Sequence, residues 1–96
     1  MVYLQASIKL YPGKVPDFVN LLNDLLPLLA KHGWKLMGSY ASVVGRLNTA
    51  MDLWELPHPN AAHAVLSDPE FQKYGSRIAE IVEDEVLTIL TKLPIG

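Results

Sequence analysis

The stretch Gly45-Arg46-Leu47-Asn48-Thr49-Ala50-Met51-Asp52-Leu53-Trp54-Glu55-Leu56 decides the fold of this chain. Gly45 and Asn48 both tolerate a positive φ, so the first four residues are typical of a tight turn. From Thr49 onward, apolar side chains occupy both faces, because successive side chains of a strand point to opposite sides. Such a strand suits the middle of a sheet that is covered on both faces. The stretch therefore predicts a hairpin between strands at 36–44 and 49–56.

One side chain of the second strand, Asp52, does not fit an apolar surrounding. It shares a face with Trp54 and Leu56, where a carboxylate is costly to bury unless it is hydrogen-bonded or reached by water. Two interpretations follow. In one, Asp52 lies in a pocket beside Trp54 and transfers protons. In the other, it pairs with a lysine or a backbone amide, and Trp54 only fills the core.

The residues before the hairpin predict a strand and a helix. Val2 to Leu10 alternates between an apolar face and a polar one, which is typical of a strand that covers a core on one side. A helix is expected to begin at Pro16, because proline suits the first helical position. It is expected to end at Lys31-His32-Gly33, where cations and a glycine are typical of a helix C-terminus.

The residues after the hairpin predict a second helical region and a last strand. Asn60 is expected to cap a short helix that ends near Ser67, and Asp68-Pro69 is expected to start another helix that runs to about residue 82. The final strand is expected over about Glu85 to Leu93. The order is β-α-β-β-α-β, so we predict one α+β domain over residues 1–96 with a ferredoxin-like arrangement.

Composition and charge restrict the classes of function. The chain has 96 residues, half of them apolar, which is enough for one core. Its formal net charge of -2 predicts no nucleic-acid partner and no membrane partner. The chain has no cysteine, its N-terminus enters a strand at once, and no apolar run reaches about 18 residues. These features predict a cytoplasmic protein.

Motifs for metal, phosphate or hydrolase chemistry are not found. His58 and His63 would lie on different sides of a helix, and no third ligand is near them. There is no Gly-x-Ser-x-Gly elbow and no glycine-rich phosphate loop. We therefore predict no metal and no cofactor. The acidic cluster Glu80, Glu83, Asp84 and Glu85 is interpreted as a solvated face.

The chain resembles the NIPSNAP family over nearly its whole length. The matching residues are Leu10-Tyr11-Pro12-Gly13-Lys14 with Phe18, Leu25-Leu26-Pro27, Gly45–Leu56 and Asp68-Pro69-Glu70-Phe71. The resemblance implies a dimeric α/β-barrel, a fold whose members include cofactor-independent monooxygenases, muconolactone isomerases, polyketide cyclases and haem enzymes. NIPSNAP-like sequences tend to have a histidine where this chain has Asp52. A proton-transfer role here would therefore depend on the pKa of the carboxylate.

The predicted sheet and the resemblance together suggest an assembly and a site. If the helices cover one sheet face, Trp54 and Leu56 are expected on the other, and a second copy is expected to cover them as a homodimer. The resemblance suggests that this face lines the barrel interior. The predicted pocket has Asp52 as the catalytic residue, with substrate-binding residues Tyr3, Gln5, Ser7, Tyr40 and Trp54, and Ser39 as a further candidate.

Two functions remain open from the sequence. In the first, the protein is an enzyme that oxidises or isomerises a small aromatic or polyketide-like compound without a cofactor. In the second, it is a non-catalytic homodimeric binding or accessory protein. A cavity that contains Asp52 would favour the first, and a sealed salt bridge or a filled interior would favour the second.

Overall fold

The protein is a two-layer structure in which one antiparallel sheet is covered on one face by helices. The structure is a computed structural model that describes all of residues 1–96. Its elements are β1 (Val2–Leu10), α1 (Val15–Lys31), β2 (Lys35–Ala41), β3 (Thr49–Leu56), α2 (Asn60–Leu66), α3 (Pro69–Gln72), α4 (Gly75–Ile81) and β4 (Val82–Leu90). The strand order is β2-β3-β1-β4, and every neighbouring pair is antiparallel. The predicted ferredoxin-like α+β fold is confirmed.

Helix α1 forms because its apolar residues recur on one side. Phe18, Leu21, Leu25 and Leu29 are buried against the sheet. Pro27 lies on the exposed side of the helix, and α1 continues through it to Lys31. Gly33 follows the helix with φ +84°, a conformation that glycine adopts without a steric penalty. No helix in the structure is both long enough and apolar enough to span a membrane.

The face of the sheet toward the helices, which we call the helix face, carries the core. Every second residue of β1 and β3 is buried on it, beginning with Leu4 and Ala50. The opposite side, which we call the open face, carries the alternate residues and has no helix on it. The core residues are Leu4, Ala6, Ile8, Leu10, Phe18, Leu21, Leu25, Leu29, Ala50, Trp54, Leu56, Ala61, Val65 and Ile81.

The expected position of Trp54 and Leu56 on the open face is wrong. Both lie on the helix face, where Trp54 is 2% exposed and Leu56 is fully buried. Alternation places Ala50, Asp52, Trp54 and Leu56 together, but both faces of β3 are largely apolar. The pattern along β3 alone therefore does not say which face the helices cover. In the register, this set lies beside the even-numbered residues of β1, and the same helices cover both.

Three predicted element boundaries also differ. Strand β2 ends at Ala41, and residues 42–48 form a wider loop in which Gly45 and Asn48 both have positive φ. Strand β4 begins directly after α4 and ends at Leu90, opposite Tyr3, because its ladder follows the length of β1. The second helical region is split between α3 and α4, with Gly75 as the first residue of α4. Glycine is a weak helix former inside a continuous helix.

The two helices that follow the hairpin, α2 and α3, differ in how their N-termini are capped. Asp68 caps α3 as expected, since its side chain accepts a hydrogen bond of 2.8 Å from the backbone N–H of Glu70. Asn60 does not cap α2. It is the first helical residue, and Pro59 occupies the cap position without a side-chain hydrogen bond.

Asp68 also joins the end of α1 to the start of α3. Nε2 of His32 lies 2.7 Å from Oδ2 of Asp68, and this bond is the main reason that the pKa of Asp68 is lowered, followed by the bond from the Glu70 N–H. A carboxylate with a lowered folded pKa stabilises the fold above its unfolded pKa, near 3.8. That contribution is lost as the pH falls through the folded value.

We expect Asp68→Ala to lower the melting temperature by roughly 5 °C at pH 7, because it removes both a helix cap and the partner of His32. The difference from the wild type should shrink as the pH falls below about 4. Thermal unfolding followed by circular dichroism across this range measures it. Glu80→Ala, at an exposed acidic residue, is the control. A difference for Asp68→Ala that does not change with pH would contradict this explanation.

Candidate functional site

A cavity lies between the helix face and the helices. Its volume is about 350 Å³, and it is lined by residues of β1, β3 and β4, of all four helices and of the segment after α1. Nearly all of these residues are apolar. Asp52 and Glu85 are the exceptions that carry ionisable groups. The cavity is therefore an apolar pocket with two acids, which is a common composition for a site that binds a small organic molecule.

Asp52 lies in the floor of this cavity and is 3% exposed. It pairs with Ser39 across the β2–β3 ladder. The Ser39 hydroxyl donates a hydrogen bond of 2.5 Å to Oδ1 of Asp52. The carboxylate has no hydrogen bond or ion pair with a lysine, an arginine or a backbone amide. Burial raises the pKa of Asp52, and the Ser39 bond offsets part of that rise.

The second oxygen of Asp52, Oδ2, has no hydrogen-bond donor within the chain. The structure contains no fully enclosed side-chain oxygen or nitrogen without a partner, so Oδ2 remains accessible. Because Asp52 lines the cavity, the cavity is the space from which a bound molecule can reach this oxygen. The predicted pairing of Asp52 with a lysine or an amide is not found.

Glu85 is the second acid of the cavity, and it is exposed together with Glu80, Glu83 and Asp84, as expected for a solvated face. It lies on β4 opposite Ile8, on the helix face, and it lines the cavity although the residue is exposed overall. Burial of its carboxyl group raises the pKa of Glu85, and the charge of Asp52 raises it further. Alternation with Leu87 along β4 places both side chains on one face, which is the signal in the sequence for the direction of Glu85.

Two tryptophans form the aromatic part of the wall. The rings of Trp34 and Trp54 meet edge to face, with centroids 5.4 Å apart and planes at 69°, which is a favoured aromatic geometry. Nε1 of Trp34 donates a hydrogen bond of 3.0 Å to the carbonyl oxygen of Ala61, and this bond holds the indole in place. Trp34 was not among the predicted site residues. It lies between the end of α1 and β2, where no periodic pattern gives a side chain a direction.

The cavity opens toward solvent beside β4. Leu87 lines it and is 42% exposed, and Leu66 of α2 lines it and is 50% exposed. Ile89, the next residue of β4 on the helix face, is also uncovered at 46% exposure. The helices therefore leave the β4 side of the helix face accessible, and Glu85 lies at this mouth.

Of the predicted site residues, the structure brings together Asp52, Trp54 and Ser39. Asp52 and Trp54 line the cavity, and Ser39 hydrogen-bonds the carboxylate. The other predicted substrate-binding residues lie on the open face: Tyr3, Gln5, Ser7 and Tyr40. Their predicted contact with Asp52 is wrong, because they occupy register positions opposite Glu55, Leu53 and Met51, whose side chains point away from the helices.

No group of three or more histidine, cysteine, aspartate or glutamate side chains lies close enough together to hold a metal ion. His58 lies before α2 and His63 lies in its last turn, and neither lines the cavity. Asp52 and Glu85 are therefore the side chains of the cavity that can exchange a proton with a bound molecule.

Comparison with solved structures identifies the fold type. An uncharacterized NIPSNAP domain protein from Burkholderia xenovorans superposes with a TM-score of 0.83 at 22% identity, over 100% of this chain and 98% of that one. A NIPSNAP family protein of unknown function from Agrobacterium tumefaciens gives 0.84 at 18% identity, over 100% and 91%. This chain has the NIPSNAP fold. At these identities the likeness is one of structure, and it agrees with the resemblance noted in the sequence.

The NIPSNAP fold is shared with proteins of other names. A candidate antibiotic biosynthesis monooxygenase from Deinococcus radiodurans superposes with a TM-score of 0.76 at 13% identity, over 100% of this chain and 96% of that one. No family model matches the sequence, and no curated protein sequence matches it. The function of this chain is therefore inferred from the residues of its own cavity.

Proposed function

We propose that the protein binds a small aromatic or polyketide-like molecule in the cavity. We also propose that Asp52 takes a proton from one atom of this molecule and returns it to another. The observation that carries the proposal is a buried carboxylate with one oxygen free of any partner, in the floor of an open apolar cavity. The chain binds Oδ1 of Asp52 through Ser39 and leaves Oδ2 accessible, which is what a carboxylate needs to exchange a proton with a ligand.

The size and walls of the cavity support a flat organic ligand. A volume of about 350 Å³ lies in the range of small-molecule pockets. The edge-to-face pair of Trp34 and Trp54 offers aromatic surface against which a ring can pack. Phe71 of α3 lies in the same wall. A compound with one or two fused rings would bury most of its apolar area here.

The chemistry of Asp52 favours proton transfer. Burial raises its pKa, and a general base works best when its pKa lies near the pH at which the protein acts. In an isomerisation, Asp52 would take a proton from one atom of the ligand and return it to another, so that no cofactor is consumed. The name of the Deinococcus radiodurans neighbour, an antibiotic biosynthesis monooxygenase candidate, supports a small organic substrate for this fold.

Ligand binding can be measured through the protein's own fluorescence. The chain has two tryptophans, and both line the cavity. A panel of neutral aromatic alcohols, ketones and lactones should therefore change the emission of the wild type in a saturable way and raise its melting temperature. A panel that produces neither change at millimolar concentration would contradict the proposal.

A substitution at Gly75 provides a direct test of the binding place. Gly75 lines the cavity, and a Cβ at this position would meet no atom within 4 Å. Gly75→Phe should place a ring at the cavity wall and weaken binding by about tenfold or more. Gly75→Ala is the matched control, because it makes the same backbone change without filling the cavity. Equal binding by the wild type and both variants would place the ligand elsewhere.

We also propose that two copies associate through the open face. Its middle carries apolar and uncharged polar residues, whereas its charged residues lie at the two ends of the sheet, where Lys35 faces Glu55 and Lys9 faces Asp84. An apolar centre with a charged rim is typical of a protein interface. The apolar residues of this centre are Tyr40, Met51, Leu53 and Val86.

The shape of the chain is compatible with such a dimer. Its extents are 37, 36 and 18 Å, so the protein is a thin slab with two broad sides. One broad side is the helix layer and the other is the open face. The broad extents leave room for the roughly 800 Å² per partner that a standard interface buries. A homodimer of this type would leave the cavity mouth beside β4 on the helix side of each sheet.

A further inference from the structure

The cavity has an unusual balance of charge. Its lining residues from β1 and from α1, α2, α3 and α4 are all apolar or glycine, and the segment after α1 adds only Trp34. The ionisable groups that face the cavity are Asp52 from β3 and Glu85 from β4. No lysine, arginine or histidine lines it. A carboxylate ligand would therefore meet only like charges, which is unfavourable at low dielectric constant.

The two acids lack a countercharge from the protein. The hydrogen bond to Asp52 comes from the neutral hydroxyl of Ser39, and none of the five salt bridges in the chain includes Asp52 or Glu85. Because Oδ2 of Asp52 has no donor in the chain although the residue is 3% exposed, this oxygen is available to a donor on a ligand. A buried carboxylate is normally paired or hydrogen-bonded on both oxygens.

The strand register brings the two acids to the same region of the cavity. Asp52 pairs with Ala6 and Glu85 pairs with Ile8, so they flank β1 on its two sides, two residues apart along that strand. Two strand spacings correspond to about 10 Å across the sheet, and both side chains reach into the cavity between the strands. The small side chain of Ala6 leaves free space above β1. A cation in this part of the cavity would therefore have a carboxylate on each side of β1.

We infer that the cavity selects an aromatic amine in its protonated form, with the ammonium group between Asp52 and Glu85 and the ring against Trp34 and Trp54. This inference rests on the proposed function and narrows the class of ligand. An ammonium group has three donors and no acceptor, which matches two carboxylates without other donors. The ring of the amine would occupy the apolar part of the cavity.

Further observations agree with this class of ligand. The pKa of Asp52 and the pKa of Glu85 are both raised, chiefly by burial, so each carboxylate would gain from a cation that replaces lost hydration. The aromatic faces of Trp34 and Trp54 also attract a cation at close range. The mouth of the cavity has Glu85 beside it, which favours the approach of a positive charge.

The test compares three probes of the same length and ring: phenylbutylamine, phenylbutanol and phenylbutyrate. Their dissociation constants at pH 7 are measured by tryptophan fluorescence and checked by calorimetry. The amine should bind about tenfold more tightly than the alcohol, because hydrogen bonds to charged groups are stronger than neutral ones. The carboxylate should bind about tenfold more weakly than the alcohol.

Variants of Asp52 and Glu85 test whether these two acids cause the preference for the amine over the alcohol. Asp52→Asn with Glu85→Gln should bring the affinity for the amine to within about threefold of the affinity for the alcohol. Glu80→Gln, which removes an exposed charge of α4 outside the cavity, should keep the preference. Circular dichroism and thermal unfolding check that each variant is folded. If the double variant does not fold, Glu85→Gln alone should lower the preference at least threefold.

The outcomes separate this inference from the proposed function. Tight binding of the amine that depends on the two acids supports both. If the alcohol binds as tightly as the amine in the wild type, or if the acid variants keep the preference, the amine inference is overturned and the proposed cavity ligand stands. If none of the three probes binds, both are overturned.

Discussion

Leu53→Glu should convert the proposed dimer into a monomer of 10.7 kDa at micromolar concentration. Leu53 pairs with Gln5 of β1 and with Gly38 of β2, and so lies in the middle of the open face. In a monomer the new carboxylate would remain at a partly exposed position and would change the stability of the fold little. In a dimer it would be buried twice by symmetry and without a partner.

The expected loss of affinity is large, because an unpaired charge at the centre of an interface costs several kcal/mol, which is a factor of a hundred or more in the dissociation constant. Analytical ultracentrifugation over a range of concentrations measures it. Val19→Glu is the matched control, since Val19 is 50% exposed on α1, away from the open face. A wild type that is monomeric at these concentrations, or a Leu53→Glu variant that is still dimeric, would defeat the proposed interface.

Asp52→Asn should reduce any turnover by about a hundredfold or more, which is the usual contribution of a general base. The substitution keeps the shape of the side chain and an oxygen that can accept the hydrogen bond of Ser39. Binding of a neutral aromatic compound should therefore survive. Turnover and affinity are measured on the best neutral ligand of the fluorescence panel. Glu55→Gln makes the same chemical change on the other face of β3 and should leave both unaffected.

The stability of the same variant has a definite dependence on pH. The unfolded pKa of Asp52 is near 3.8 and its folded pKa is raised. At a pH between these two values, the folded state binds this proton more tightly than the unfolded state does. The wild type therefore loses stability as the pH rises through this window. Asp52→Asn has no such loss, and it should be at least as stable as the wild type at pH 7. Urea unfolding at several pH values measures the difference.

The stability and turnover of Asp52→Asn together separate the two functions that the sequence left open. A variant that is stable and binds but has lost turnover supports an enzyme with Asp52 as its base. If the variant is stable and the wild type binds the ligand without converting it, the protein is a non-catalytic binding protein. A clearly destabilised variant with unchanged turnover would show that Asp52 has a structural role.

Local patterns in the sequence were sufficient for the fold class. The alternation of Val2 to Leu10, the apolar side of α1, the cap at Asp68 and the left-handed positions at Gly45 and Asn48 each depend on neighbours within a few residues. Such features are determined by side-chain direction and backbone sterics, and both follow from the type and the spacing of neighbouring residues. The same rules placed Asp52 and Trp54 on one face of one strand.

The composition of the site was decided by the tertiary structure. Whether the face of Asp52 meets the helices or lies open depends on the side from which α1 packs, and a strand that is apolar on both faces does not determine this. Asp52 and Trp54 were therefore assigned to the open face, where Tyr3, Gln5, Ser7 and Tyr40 do lie. Glu85 comes near Asp52 only because β1 pairs with both β3 and β4. Asp52 and Glu85 are distant in the sequence, and their proximity arises only when the sheet has formed.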